Sequence, residues 1–372
     1  MRICINYLSV VTGGAEIYAL NLLKALAKVD SQNEYFVYLP KGKIEDFKVE
    51  NGNFEFRGKD FTSPYLRILW EQLFLPFELY KNKIDVIFTT GNINVVLAPC
   101  KSIVAVHNIL PFSAPAMFLS KLKLYYLRDT LKLTSRSIDK IITVSKTAKD
   151  ELIKYMKISP DKIKTIYHGV STGEVTKESD CVEEKFDITD NFILSISSVY
   201  RSKNYINLIR AFEIYRKRTH TDMCLVIIGK VIERDYYNQM LTEMENLKLK
   251  DRVIFIDSLP HNNLYPIYSR AAAYVYPSYI ESFGLTPLEA MASGVPVITS
   301  NLSAMPEVCG DAAIYFNPSS PEDIAEKIDQ VLSNEDLRTK LIDEGLKRAA
   351  SFSWEKSAKE HLAVFEQVYG AI

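Results

Sequence analysis

The stretch YPSYIESFGLTPLEAM, residues 276–291, predicts a buried strand that ends at Tyr276, then a loop, then a helix that starts near Pro287. Proline is favoured in the first turn of a helix, and strand followed directly by helix is the repeating unit of parallel α/β sheets. Gly284 in the loop lets a ligand approach the backbone closely. The stretch therefore predicts an α/β fold with a ligand site at the carboxyl end of this strand.

The same stretch carries residue types that can bind a pyrophosphate and the hydroxyls of a ribose or hexose. The backbone N–H groups of Phe283, Gly284 and Leu285 are expected at a helix N-terminus, where unpaired donors and the helix dipole attract a pyrophosphate. Glu281 and Glu289 flank this position, and a carboxylate accepts hydrogen bonds from both hydroxyls of a sugar or ribose diol. Either acid alone would more often be a structural charge, but the whole constellation favours a binding site.

Short apolar runs alternate with amphipathic helical segments through both halves of the 372-residue chain. This alternation predicts two doubly wound, Rossmann-like α/β domains that face each other across a cleft. The predicted strands are residues 3–6, 35–39, 86–89, 103–107, 141–144 and 163–167 in the first half and 192–196, 225–229, 253–256, 274–276, 297–299 and 314–316 in the second.

The boundary between the two halves is expected in residues 171–190, which are polar and acidic and show no helical or strand period. The predicted domains are therefore residues 1–170 and 191–353. Residues 354–372 are predicted as a C-terminal helix, which can cross back to pack on the first domain.

The net charge of −1 conceals an asymmetry between the halves. Residues 1–170 hold 24 Lys and Arg against 16 Asp and Glu, whereas residues 171–372 hold 21 against 30. Two interpretations stay open, namely different partners for the two halves and chance segregation of solvated charge. We expect no nucleic-acid partner.

The five cysteines are widely spread and form no CxxC pair, which favours reduced thiols in a cytosolic protein over disulfides or a metal site. The chain begins on a predicted strand, without a secretory segment, and has no run of 18 apolar residues. We therefore expect a cytoplasmic protein, and a location at the inner face of the membrane stays open.

A basic loop, SSVYRSKN at residues 197–204, follows the first strand of the second half. Its cations, Arg201 and Lys203, can neutralise a departing nucleoside diphosphate. For Arg201 a plain surface charge is an equally good interpretation.

Two further candidates lie in the first half. His107 ends a predicted strand, and this position favours a functional role although a lone histidine is more often structural. Gly13 and Gly14 join the first strand to the first helix, where they can admit phosphate or acceptor or simply form a tight turn. They do not complete a G-x-G-x-x-G motif, which disfavours a Rossmann dehydrogenase.

The seven residues between Glu281 and Glu289 give this segment a resemblance to the E-x7-E signature of glycosyltransferase family 4, whose members are retaining enzymes of GT-B fold. ASGVPVI at 292–298 and FSW at 352–354 are also similar to the family, and the resemblance covers essentially the whole chain. It implies that Glu281 contacts the donor sugar and Glu289 the donor ribose, with the N–H groups of residues 283–285 facing phosphate and sugar. It also implies an acceptor-side first domain and a nucleotide-sugar-binding second domain.

The resemblance extends to the other candidates. Lys203 matches the family lysine, but Ser198 stands where the family usually has an arginine. His107 and Asn108 resemble the family's His-Asp segment, which makes His107 a candidate to orient the sugar. LWEQ at 69–72, followed by LP at 75–76, looks like a segment of bacterial mannosyltransferase-like members, and this suggests mannose.

The chain has no Asp-x-Asp and no His/Cys cluster, so we expect no metal and no cofactor. The predicted function is a retaining, metal-independent transferase that moves a hexose from a nucleotide-diphosphate sugar to a glycan or lipid-linked acceptor in cell-surface polysaccharide synthesis. The alternatives are a nucleotide-sugar epimerase of the same fold and a noncatalytic nucleotide-sugar-binding subunit.

Two segments of the first half combine aromatic or basic residues in a way that suits a lipid surface. Residues 66–79 hold Trp70, Phe74 and Phe77, and residues 117–136 hold five cations with two tyrosines. They can contact an anionic membrane or a lipid pyrophosphate. Alternatively the aromatic residues pack a core, which we favour for residues 66–79.

Overall fold

The computed structural model describes residues 1–9, 13–91, 94–108, 132, 134–171 and 191–370. It divides into two compact units. Unit 1 comprises Met1–Gly169 and Ser353–Ile372, and unit 2 comprises Val170–Phe352. Of the predicted linker only residue 171 is described, and the basic segment 117–136 lies largely outside the described residues.

Unit 1 is built on a seven-stranded parallel sheet of order β3-β2-β1-β4-β5-β6-β7. Central strands are buried on both faces, which explains their continuous apolar sequences. The strands are β1 Arg2–Asn6, β2 Glu34–Leu39, β3 Phe54–Gly58, β4 Val86–Thr90, β5 Lys101–Val106, β6 Lys140–Thr143 and β7 Ile163–Thr165. The helices are α1 Gly14–Val29, α2 Ile44–Phe47, α3 Pro64–Leu73, α4 Leu75–Lys81 and α5 Lys146–Met156.

Two predictions for unit 1 need correction. Strand β3 was not expected, because it lies at the edge of the sheet and alternates apolar with charged residues. The predicted helix 66–79 is two helices, α3 and α4, which meet at Phe74. Pro76 explains the break, since proline lacks the N–H and its ring clashes with the preceding helical turn.

The core interpretation of residues 66–79 holds for Trp70 but not for the two phenylalanines. Trp70 packs against Tyr38 and Phe61, with ring centroids 5.8 Å apart in each pair. Phe74 and Phe77, by contrast, are 57% and 74% exposed, so they do not pack a core in the described part of unit 1.

Unit 2 is built on a six-stranded parallel sheet of order β10-β9-β8-β11-β12-β13. Its strands are β8 Phe192–Ile196, β9 Cys224–Ile228, β10 Val253–Ile256, β11 Ala273–Tyr276, β12 Val297–Ser300 and β13 Ala313–Phe316. Its helices are α6 Tyr205–Thr219, α7 Arg234–Asn246, α8 Leu264–Arg270, α9 Leu285–Ala292, α10 Met305–Cys309, α11 Pro321–Leu332 and α12 Glu335–Ala350. The two parallel-sheet units confirm the predicted α/β class.

The last helix, α13 Trp354–Tyr369, returns to unit 1 and packs along α1. Ser353 caps it by accepting a hydrogen bond from the backbone N–H of Lys356. Trp354 lies directly on Gly169, where any side chain would overlap the tryptophan backbone and ring. The glycine therefore allows the close approach that seats α13.

Candidate active site

Strands β8 and β11 are neighbours in the sheet of unit 2, so the loops that follow them emerge at the same edge. The loop after β8 carries Ser198 and a short 3₁₀ turn, Arg201–Lys203. The loop after β11 carries Glu281 and Gly284. This is the edge at which open parallel sheets bind ligands.

Lys203, Tyr276 and Glu281 form a closed cluster at this edge. Lys203 Nζ makes an ion pair with Glu281 Oε1 and donates a hydrogen bond to the Tyr276 hydroxyl, with Nζ and the phenolic oxygen 3.0 Å apart. Tyr276 in turn donates to Glu281 Oε1 over 2.8 Å. The structure thus brings together two predicted residues, Lys203 and Glu281, around a tyrosine that sequence reasoning used only as a strand end.

Burial protects this cluster from bulk water. The side chains of Lys203 and Glu281 are only 18% and 12% exposed. Burial, and then the neighbouring Glu281 carboxylate, raise the pKa of Tyr276 well above its ordinary value. The phenol therefore stays protonated and serves as a hydrogen-bond donor at any physiological pH.

The loop that carries Glu281 is held by two hydrogen bonds between the Glu281 backbone and Ser303 and by the conformation of Gly284. Glu281 N–H donates to Ser303 Oγ over 3.1 Å, and Ser303 Oγ donates to the Glu281 carbonyl over 2.7 Å. Gly284 has φ of 95°, and a side chain there would overlap Met305. The left-handed backbone therefore favours glycine at 284, and a larger residue would also have to displace the end of the Met305 side chain.

Helix α9 begins directly after Gly284, at Leu285. The predicted start near Pro287 is therefore two residues late, because Gly284 acts as the N-cap and Pro287 is the third helical residue. The backbone of residues 283–285 lies at the N-terminus of this eight-residue helix, where the dipole is positive.

Glu289 lies one turn further along α9 and is buried. Its Oε1 accepts a hydrogen bond from His261 Nε2 over 2.9 Å, and its Oε2 accepts one from the Tyr268 hydroxyl over 3.1 Å. Burial acts to lower the pKa of His261, but the hydrogen bond and the charge of Glu289 outweigh it and raise that pKa. The sequence did not single out His261 or Tyr268, because neither residue lies in a recognisable motif.

Arg201 is directed away from this cluster. Its guanidinium lies 5.3 Å from the Tyr236 ring centroid and donates to Gln239 Oε1 over 3.4 Å, and its backbone N–H donates to Glu233. All three partners lie on or next to α7. This placement favours the surface-charge interpretation of Arg201 over a role at the position where Ser198 stands in place of the family arginine.

The remaining candidates belong to unit 1. Gly13 caps α1 with φ of 75°, and Gly14 starts that helix with open space around it. His107 follows β5 and packs on the rings of Tyr18 and His168, at centroid distances of 4.2 and 5.5 Å.

His107 is held as a neutral imidazole. Burial, together with the nearby His361, lowers its pKa to about 3. Its Nε2 atom is buried without a hydrogen-bond partner among the described residues. Its neighbour Tyr18 donates to His361 Nε2 over 2.9 Å, and His361 Nδ1 donates to the Ser357 carbonyl over 2.7 Å. Helix α13 thus helps to hold the ring against which His107 packs.

In the part of the chain that the structure describes, no helix is long and apolar enough to cross a membrane. The same residues contain no group of three or more His, Cys, Asp or Glu side chains arranged to hold a metal ion.

Two family models match the chain and together span most of it. Residues 12–174 match "Glycosyltransferase Family 4", and residues 177–348 match "Glycosyl transferases group 1". The chain is 34% identical over 215 residues to the O-antigen chain mannosyltransferase RfbU of Salmonella typhimurium, a match that covers 58% of this chain and 56% of RfbU. It therefore spans about half the length of this relative.

Two further similarities cover more of the chain. It is 27% identical to the O-antigen chain mannosyltransferase B of Escherichia coli, over 72% of this chain and 70% of the relative. The crystal structure of Anabaena HepE in complex with UDP-glucose superimposes with a TM-score of 0.78 at 17% identity, over 98% of this chain and all of HepE. The likeness confirms the GT-B fold, and the two family models show that this chain belongs to the glycosyltransferases of family 4, with a second half of the group 1 type.

Proposed function

We propose that the chain is a retaining, metal-independent glycosyltransferase that moves mannose from a nucleotide-diphosphate sugar to a glycan or lipid-linked acceptor of a cell-surface polysaccharide. The observation that carries this proposal is the cluster of Lys203, Tyr276 and Glu281 beside the N-terminus of α9. A cation, a sugar-binding carboxylate and a positive helix end are the groups that such a donor requires.

Each part of the donor has a partner in unit 2. Glu289 accepts hydrogen bonds from the ribose diol, and the backbone amides at the start of α9 face the diphosphate. Glu281 accepts hydrogen bonds from hydroxyls of the sugar. Lys203 stays near both, because its ammonium is held by Glu281 and Tyr276.

Catalysis follows from how charge moves during transfer. The bond between the anomeric carbon and the diphosphate oxygen breaks, and the departing phosphate gains negative charge that Lys203 stabilises more strongly in the transition state than in the ground state. The acceptor hydroxyl attacks the same face of the sugar, and its proton passes to the leaving phosphate oxygen. The new glycosidic bond therefore keeps the anomeric configuration. His107 is a neutral imidazole packed on Tyr18, and in this scheme it orients the sugar without transferring a proton.

The choice of mannose rests on the relatives, RfbU and mannosyltransferase B, whose names specify mannosyl transfer in O-antigen chains. UDP-glucose is the ligand of HepE, and the experiment below therefore includes this donor beside GDP-mannose. Metal independence is proposed because the sequence has no Asp-x-Asp pair that could hold a divalent ion on the donor diphosphate.

A membrane-proximal acceptor would suit unit 1. Helices α3 and α4 carry a run of large apolar side chains that are at least half exposed, namely Tyr65, Leu66, Leu69, Leu73, Phe74, Phe77 and Tyr80. Together with the basic excess of residues 1–170, this surface suits peripheral contact with an anionic membrane at its inner face.

The proposal is tested by incubating the protein with GDP-mannose, UDP-glucose, an ADP-sugar or a dTDP-sugar and measuring released nucleoside diphosphate by chromatography. Each donor is assayed with and without a bacterial lipid-linked glycan fraction. We expect release from one donor, GDP-mannose, only when the acceptor fraction is present. An altered sugar without any release would indicate an epimerase, and binding without turnover would indicate a noncatalytic subunit.

A further inference from the structure

Glu289 is a buried carboxylate of the site that is held by residues outside the E-x7-E segment. Its side chain is 4% exposed, yet both oxygens have a hydrogen-bond donor. A buried carboxylate is costly unless it is paired, so these donors explain how it persists in the core of unit 2.

The two donors come from different elements and lie on different sides of the carboxylate. Tyr268, on α8, is fully buried and donates to Oε2. His261, in the loop before α8, is 30% exposed and donates to Oε1. Tyr265 packs its ring edgewise on the imidazole, with centroids 5.3 Å apart, and its hydroxyl donates to the Ser171 carbonyl. The imidazole is therefore supported on one side and bonded to Glu289 on another.

The remaining acceptor capacity of Glu289 matches a diol. An ionised carboxylate has about four lone-pair positions, and two of them are filled by His261 and Tyr268. The remaining two, one on each oxygen, suffice for two vicinal hydroxyls. Because each oxygen is already held, the carboxylate cannot rotate, and it presents these two positions in a fixed direction.

We propose that His261 and Tyr268 are positioning residues that hold Glu289 for the 2′ and 3′ hydroxyls of a ribonucleoside diphosphate. This proposal rests on the proposed function, since it takes Glu289 as the ribose partner. It adds that His261 and Tyr268 determine nucleotide affinity only through the diol. They act on Glu289 and do not themselves touch the reacting atoms.

A binding cycle with and without the diol separates this role from a merely structural one. Wild-type protein is first titrated calorimetrically with GDP, UDP and ADP, and the nucleotide that binds most tightly is then compared with its 2′,3′-dideoxy analogue. The same two ligands are titrated into His261→Ala, His261→Gln and Tyr268→Phe. Tyr215→Phe is the matched control, because Tyr215 is also a buried tyrosine of unit 2 but its hydroxyl contacts Met223.

We expect His261→Ala and Tyr268→Phe to weaken binding of the ribonucleotide about tenfold, since each removes one hydrogen bond to a charged group. Binding of the dideoxy analogue should stay within about twofold of wild type, the scatter expected of an unrelated substitution. His261→Gln should recover part of the loss, because an amide can donate to Oε1. Tyr215→Phe should behave as wild type with both ligands.

Equal losses for both ligands would show that His261 and Tyr268 only support local structure, and unchanged ribonucleotide affinity would also overturn the proposal. Failure of the wild-type protein to bind any of the three nucleotides would contradict the proposed function itself. The thermal unfolding midpoint of each variant identifies a folding defect. If Tyr268→Phe fails to fold, the half-buried His261 still decides the outcome.

Discussion

The ammonium of Lys203 and the carboxylate of Glu281 form an ion pair that is largely shielded from solvent, with the Tyr276 hydroxyl bonded to both. The cation that we assign to the leaving diphosphate is therefore balanced by a carboxylate of the same unit. Its attraction for a donor diphosphate in the ground state is reduced accordingly. This favours a role for Lys203 in the transition state, where the leaving phosphate has gained negative charge.

The first prediction concerns Lys203. Lys203→Ala should lower the single-turnover rate by about 10²–10³, the usual effect of losing one preorganised electrostatic group, and should change donor affinity less. Rapid-quench measurement of the rate at saturating donor, with a separate titration of donor binding, tests this. Lys217→Ala is the control, because Lys217 is an exposed lysine of α6 in the same unit. A near-normal rate, or lost affinity with an intact saturated rate, would reduce Lys203 to a binding or surface residue.

The second prediction concerns Arg201, which lies in the same 3₁₀ turn as Lys203. Because its guanidinium contacts Tyr236 and Gln239, Arg201→Ala should alter kcat/KM by no more than about fivefold, as for the loss of an exposed cation–π contact. Steady-state kinetics with the donor varied provide the measurement. A loss comparable with that of Lys203→Ala would mean that Arg201 reaches the diphosphate and replaces the missing arginine.

The sequence predicts most of the strands and part of the candidate site. The alternation of apolar runs predicted twelve of the thirteen strands that the structure describes, since strands buried on both faces have a continuous apolar sequence. The E-x7-E spacing picked out Glu281 and Glu289. It did not reveal that Tyr268 and His261 hold Glu289, because these contacts join residues 21 and 28 positions apart that only the folded sheet brings together.

Local chemistry explains the other differences. β3 escaped prediction because an edge strand needs no continuous apolar sequence. Helix α9 starts at Leu285 rather than near Pro287, because the left-handed Gly284 sets the N-cap.

The third prediction is a pH dependence of unit 1. Burial lowers the pKa of His361 to about 4, from 6.5. Because the pKa of His361 is lower in the folded than in the unfolded chain, the neutral imidazole stabilises the fold fully above pH 6.5. This contribution to the free energy of unfolding is lost as the pH falls toward 4. At 1.36 kcal/mol per pKa unit, His361 alone should cost unit 1 about 2 kcal/mol of unfolding free energy between pH 6.5 and pH 5.

Both tryptophans, Trp70 and Trp354, belong to unit 1, so tryptophan fluorescence follows urea unfolding of this unit selectively. His361→Gln should reduce the loss of stability between pH 8 and pH 5, whereas the exposed His220→Gln in unit 2 should not. The same pH dependence in wild type and His361→Gln would show that His361 is not responsible.

The fourth prediction is that transfer survives metal removal. We expect turnover in excess EDTA to match turnover in magnesium, since Lys203 and the N-terminus of α9 are assigned to the leaving charge. Nucleoside diphosphate release in the two buffers is the measurement, with protein passed over a chelating resin beforehand. If EDTA abolishes release and added Mg²⁺ restores it, the metal-independent scheme is wrong.

The anomeric configuration of the product tests directly whether the chain transfers mannose with retention. The protein is incubated with GDP-mannose, whose mannose is α-linked, and the lipid-linked acceptor fraction, and the one-bond C1–H1 coupling of the transferred sugar is read by NMR before any anomerisation. We expect an α-mannoside, formed in an amount equal to the amount of GDP released. A β-mannoside would contradict the retaining mechanism, and release of GDP with free mannose and no glycoside would contradict transfer itself.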